Sequence, residues 1–133
     1  MLVEFLLEVF FIKIKIKGYL ENTTENTKEF IDILGIKNKN KISYIIDKTK
    51  YKLEIFSSKL ILTRENDEFI HGMVFELNKE TMTEYYIKDI NSSLSLKLLT
   101  TKLEISENII EINYKISDND NKYIYLIEMS DDK

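Results

Sequence analysis

The chain has 133 residues, a formal net charge of −4, and neither cysteine nor proline. This length suits one domain with its own core, and the missing cysteines exclude disulfides and thiolate metal sites. Acidic residues (23) outnumber lysine and arginine (19) along the whole chain, so we do not expect a nucleic-acid-binding protein.

The first eleven residues, MLVEFLLEVFF, form an apolar N-terminal extension. They lack the basic start and cleavage site of a signal peptide, and two glutamates interrupt a run too short to span a bilayer. With the absence of cysteine, this predicts a cytoplasmic protein without membrane insertion. Three roles stay open for residues 1–11: a helix or strand packed on the domain, a dimer contact or lid, or a peripheral membrane anchor.

From Ile12 onwards the sequence alternates between apolar and polar residues, which is typical of half-buried strands. The predicted strands are residues 12–17, 30–34, 42–46, 51–55, 59–64, 69–77, 82–88, 92–105, 110–116 and 122–129. Polar turns join them, and no segment between them is long enough for a crossover helix. We therefore predict an all-β domain over residues 12–133, a single antiparallel β-barrel of about eight to ten strands, closed or nearly closed.

The longest predicted strand, residues 92–105, changes face along its length. One face carries Leu94, Leu96 and Leu98, and the other carries Leu99, Thr101, Leu103 and Ile105. This switch predicts a β-bulge or a corner near Leu98 and Leu99.

Spaced strand positions between Ile12 and Met129 carry a family resemblance. They are Ile16-Lys17-Gly18, Ile42-Ser43-Tyr44, Leu62-Thr63-Arg64, Met73 with Phe75, Tyr85-Tyr86, Thr101 with Leu103, and Ile112 with Tyr114. In these positions the chain resembles the YwiB-like proteins, uncharacterised β-barrels of low-GC Gram-positive bacteria. The resemblance implies a calycin- or lipocalin-like barrel and implies no known activity. Residues 87–91 lack the Pro and Gly of the family's turn after the tyrosine strand, and the apolar N-terminal extension is not typical of the family.

Arg64 is the only arginine and His71 the only histidine of the chain, and the alternation turns both side chains inward. An inward guanidinium needs a partner, because an isolated buried charge is costly. Arg64 either closes one barrel end on carbonyls or a carboxylate, or receives the carboxylate or phosphate of a ligand. His71 is interpreted as a hydrogen-bonded wall residue or as a ligand contact; a third alternative, a catalytic histidine of a hydrolase or isomerase, has no motif in its support, since neither metal-ligand spacing nor a nucleophile motif accompanies His71.

Tyr44, Tyr51, Tyr85 and Tyr114 also fall on predicted inner faces, either as core or as the wall of a ligand-binding lumen. We predict no cofactor, no metal site and no catalytic residue. The predicted function is binding of a small apolar or amphipathic ligand in the barrel, by a protein that is not an enzyme. The lumen candidates are Arg64, His71, Tyr44, Tyr85 and Tyr114. The alternative is a protein–protein or homodimer module that uses the N-terminal segment or an edge strand.

Overall fold

A computed structural model of the protein describes residues 11–116 and 120–132, which form ten strands. The strands are β1 Ile12–Asn22, β2 Thr27–Asn38, β3 Lys41–Ile46, β4 Thr49–Ile55, β5 Leu60–Glu65, β6 Phe69–Phe75, β7 Glu80–Ile87, β8 Ser92–Ile105, β9 Ile109–Ile116 and β10 Asn121–Asp131. Within these residues no helix has the length and apolar character needed to cross a membrane. Of the predicted N-terminal extension, residues 1–11, all but Phe11 lie outside the described residues, so the roles predicted for it stay predictions.

Each strand pairs antiparallel with its neighbours in sequence, and β1 pairs with β10 to close the barrel. The topology is therefore a closed up-and-down barrel, in which short turns reverse the chain and no crossover is needed. The prediction of a closed antiparallel β-barrel with up to ten strands is confirmed.

The first two strands are longer than predicted, because β1 runs past Gly18 and β2 past Gly35. Gly18 does not end β1; it lets β10 approach. A Cβ at this position would lie 1.8 Å from the backbone carbonyl oxygen of Leu126. Glycine is thus required for the close approach of two backbones, a common use of glycine within strands.

The predicted change of face in β8 exists, but it lies further along the strand. Leu98 and Thr100 are both fully buried, and the register with β9 shifts between Thr100 and Lys102. Thr101 is the extra residue and is exposed, so the change of face follows Thr100 and does not lie at Leu98 and Leu99 as predicted. Thr100 is polar, so the alternation pattern suggests that it points outward although it is buried. For this reason the bulge was predicted too early in the strand.

The two ends of the barrel are filled differently. At the end with the turns 39–40, 56–59 and 76–79, inward aliphatic and aromatic side chains fill the interior. This packed half contains Ile14, Ile16, Ile42, Leu53, Leu60, Phe75, Ile110, Ile112 and Ile127, all at most 3% exposed. The opposite end, with the turns 23–26, 47–48, 66–68 and 88–91, encloses a cavity and is called the cavity half.

Strands β2 and β3 diverge toward the cavity half. They pair only through Ile36, Lys37 and Asn38 of β2. Residues 27–35 of β2 therefore have no partner strand on that side among the described residues. This split is the main departure from a continuous ladder around the cavity half.

Candidate functional site

The wall of the cavity half is built on one row of inward side chains that runs across five consecutive strands. Tyr44 pairs with Tyr51, Tyr51 with Arg64, Arg64 with His71, and His71 with Tyr85. Paired residues on adjacent antiparallel strands point to the same face, so the row follows directly from the register. The inward direction predicted for these side chains is confirmed.

Four members of the row, Tyr51, Arg64, His71 and Tyr85, border a cavity of about 240 Å³. At the share of liquid volume that one water takes, this is room for about eight water molecules. Apolar wall residues are Leu20, Leu62, Met73, Leu94, Leu96 and Ile116, and polar ones are Arg64, His71, Thr83 and the tyrosines 51, 85, 114, 123 and 125. A largely apolar wall with a few convergent polar groups is typical of small-molecule sites.

Arg64 is the cation of this wall. Its Nη2 lies 2.8 Å and its Nε 3.3 Å from Nδ1 of His71, and its Cζ lies 5.4 Å from the centre of the Phe69 ring. No carboxylate lies within 4 Å of the guanidinium in the described part of the chain. The predicted closure of the barrel end through a carboxylate or backbone carbonyls is therefore not what these residues show.

The hydrogen bonds fix the tautomer of His71. An arginine can only donate, so Nδ1 of His71 accepts from Arg64 and the ring proton sits on Nε2. Nε2 then donates to the Thr83 hydroxyl at 2.7 Å, and this hydroxyl donates to the carbonyl of Gly72 at 3.0 Å. Burial, and then the charge of Arg64, lower the pKa of His71 to about 4. His71 is thus a neutral partner, and no carboxylate of the described residues compensates the positive charge of Arg64.

Of the three tyrosines predicted to bind a ligand, two line the cavity and one does not. Tyr85 and Tyr114 line the cavity beside His71, whose ring centre lies 5.1 Å from that of Tyr85. Tyr44 does not line this cavity; it is buried, its ring stacks on Tyr51 at 4.7 Å, and its hydroxyl bonds with that of Tyr125. Burial raises the pKa of Tyr44, Tyr114 and Tyr125, so these hydroxyls stay protonated at neutral pH.

Sequence reasoning missed Thr83, Tyr123, Tyr125 and Leu20. Thr83 is 3% exposed and orients the imidazole of His71. Its position two residues before Tyr85 on the same strand face was the signal that could have found it. Tyr123 and Tyr125 reach the cavity because β10 pairs with β1 and closes the barrel. No local sequence pattern predicts this pairing.

The described residues contain no group of three or more His, Asp or Glu side chains that could hold a metal ion. Both ring nitrogens of His71 are engaged, by Arg64 and by Thr83, and neither partner is a carboxylate. The arrangement is suited to holding a polar group beside a fixed positive charge.

Fold and site together define a closed ten-stranded up-and-down β-barrel with an arginine-lined internal cavity. Among solved structures, the fold is similar to the crystal structure of the YwiB protein from Bacillus subtilis, with a TM-score of 0.69 and 17% sequence identity over 93% of each chain. No protein-family model and no curated protein matches the sequence. At this identity the likeness shows a common fold, and the resemblance to the YwiB-like proteins is confirmed at that level.

Proposed function

We propose that the protein binds a small amphipathic anion in the cavity half of the barrel and does not convert it. The observation that supports this proposal is Arg64, a permanent cation that faces the cavity beside a neutral histidine. A ligand carboxylate or phosphate would supply the missing negative charge.

The guanidinium is suited to such a group. It carries five N–H donors in a planar fork, and two of them are directed to His71. The remaining donors can bind an anion in a bidentate manner, which is stronger and more specific than contact with a lysine. The tyrosine hydroxyls of the wall add neutral donors nearby.

The apolar part of the wall would hold the body of the ligand. Leu20, Leu94 and Leu96 face the cavity and remain partly exposed; Leu94 is 54% exposed. Each methylene buried against such residues contributes about 0.8 kcal/mol. The proposal of binding without conversion rests on His71, whose accepting nitrogen is occupied by Arg64 and cannot serve as a general base.

Native mass spectrometry of gently purified protein tests the proposal, with the same sample denatured as reference. We expect an excess mass that is lost on denaturation and that Arg64→Met removes. Lys17→Met is the matched control, because it deletes one positive charge on the exposed outer face of β1. A ligand that persists equally in both variants would contradict an anion site at Arg64.

As a second candidate we propose a homodimer through the outer face of β2 and β3. Phe30 is 78% exposed there, with Ile45 at 59% and Leu34 at 57%. Lys28 and Asp32 lie two residues on either side of Phe30 on the same face. A two-fold axis passing Phe30 would therefore place each Lys28 opposite Asp32 of a second copy.

Light scattering after size-exclusion chromatography tests this candidate. Asp32→Lys should dissociate the dimer, and the exchanged pair Lys28→Asp with Asp32→Lys should restore it. A monomeric wild-type protein, or a dimer that both variants leave unchanged, would rule this interface out.

A further inference from the structure

The split between β2 and β3 opens into a second cavity of about 340 Å³. Its wall comes from Ile31 on β2 and from Ile46 and Thr49 on the other side of the split, with Phe30 at the edge. The second cavity therefore exists because the two strands stop pairing beyond Ile36.

The two cavities share part of their walls. Leu20, Tyr51 and Tyr125 line both of them. Tyr51 stacks on Tyr44 and Tyr44 bonds to Tyr125, so these rings form a rigid border around which the two spaces meet. A ligand that is held at Arg64 and reaches the split would have to pass this shared border beside Leu20 and Tyr51.

Charge distinguishes the two cavities. The first contains the cation Arg64, whereas the second has the carboxylates of Glu29 and Asp47 at its exposed rim. An anionic group is attracted to the first cavity and repelled from the second. The orientation of an amphipathic ligand follows from this difference.

We propose that the ligand is a single-chain amphipathic monoanion that spans both cavities, with its anionic head at Arg64 and its uncharged apolar tail between β2 and β3. This inference rests on the proposed function and deepens it by naming the ligand class. It requires that the tail, and not a second polar head, occupies the split.

A series of straight-chain carboxylates from hexanoate to dodecanoate, titrated by calorimetry below their micelle concentrations, tests the inference. Each methylene that enters an apolar wall tightens binding about fourfold. We expect the affinity to rise through the series, because the tail continues into the second cavity after the first is full.

Two neighbouring isoleucines give a matched pair of variants. Ile46 lines the second cavity, whereas Ile45 lies on the outer face of the same strand and is 59% exposed. Ile46→Trp should remove the gain of the longer chains and leave hexanoate binding unchanged. Ile45→Trp adds the same indole outside the barrel and should leave the whole series unchanged.

A surface variant tests the orientation without altering the core. Wild-type protein should bind dodecanoate at least tenfold more tightly than dodecanedioate, whose second carboxylate would meet Glu29 and Asp47. Glu29→Lys should reduce this preference, and because Glu29 is exposed the variant should fold normally.

The outcomes separate the two proposals. Affinity that stops rising after hexanoate, or rises equally in Ile46→Trp, would overturn the extension into the split and leave the Arg64 site standing. Failure of every carboxylate and of octyl phosphate to bind would overturn the proposed function as well. If Ile46→Trp does not fold, the dicarboxylate comparison with Glu29→Lys decides the question alone.

Discussion

The packed half and the cavity half of the barrel are built from the same ten strands but follow different rules. Strand residues near the turns 39–40, 56–59 and 76–79 point aliphatic side chains inward and are almost fully buried. Near the opposite turns the inward positions hold Arg64, His71 and tyrosines around a cavity. Dense packing of apolar side chains specifies and stabilises a fold, and loosely packed or polar interior regions concentrate at ligand-binding sites.

The inward polar groups of the cavity half bond to one another. In the cavity half Arg64, His71 and Thr83 form one directional chain that ends on a backbone carbonyl. These bonds offset part of the cost of turning polar groups inward. We expect the packed half to contribute more to stability than the cavity half, because its inward side chains are apolar and almost fully buried.

The largest expected effect comes from the same substitution made in both halves. Leu60→Ala removes a fully buried side chain from the packed half and should cost about 4 kcal/mol. Leu94→Ala, at a residue 54% exposed, should cost less than about 1 kcal/mol. Urea unfolding of both variants measures the two free energies, and equal losses would contradict the comparison.

A second prediction concerns the boundary between the halves, where Gly18 lies between Ile16 of the packed half and Leu20 of the cavity. Gly18→Ala should destabilise the barrel by about 3 kcal/mol, because its Cβ would clash with the backbone of β10. Gly72→Ala is the control, since its Cβ meets nothing within 4 Å, and it should gain about 0.5 kcal/mol. Thermal unfolding distinguishes the two, and a harmless Gly18→Ala would show that β10 can move away.

The third prediction sharpens the comparison through pH. The pKa of His71 is about 4 in the fold against 6.5 for the unperturbed group. The unfolded chain therefore takes up the proton first, and stability that is complete above pH 6.5 decreases as the pH falls toward 4. Discounted for the partial exposure of the ring, this loss is about 2 kcal/mol. The loss should be absent from the stability curve of His71→Asn, and parallel curves for the two proteins would contradict a buried neutral imidazole.

The smallest expected effect on stability is that of Arg64→Met. With no carboxylate partner among the described residues, the guanidinium contributes little to folding, and its loss should change the free energy by less than about 1 kcal/mol. The same variant should lose anion binding. A loss of stability comparable with that of Leu60→Ala would make Arg64 a structural residue.

Most of the fold was predictable, because alternation is a local signal and the ten strands have it. The sequence alternation also turned Arg64, His71 and Tyr85 inward. It misjudged Gly18 as the end of β1, since the close approach of β10 depends on a partner strand more than a hundred residues away. It displaced the bulge in β8 because Thr100 is polar yet buried.

The candidate site was predictable as residue types but not as an arrangement. No local sequence pattern predicts that Arg64 and His71 pair across β5 and β6, or that Thr83 completes their hydrogen-bond network. The split between β2 and β3 was likewise hidden, because residues 27–35 look like an ordinary strand whether or not they are paired on both sides. Register and closure are long-range properties.

The most direct test of an anion site at Arg64 uses His71 as a reporter, since it is the only histidine in the chain. The imidazole signals of ¹³C-labelled protein are followed by NMR during titration with octanoate, in wild type and in Arg64→Met. A carboxylate bound beside the ring favours the imidazolium, so we predict a saturable shift and a pKa of His71 that rises from about 4 in wild type only. Unchanged signals, or the same shift in Arg64→Met, would contradict the proposed site.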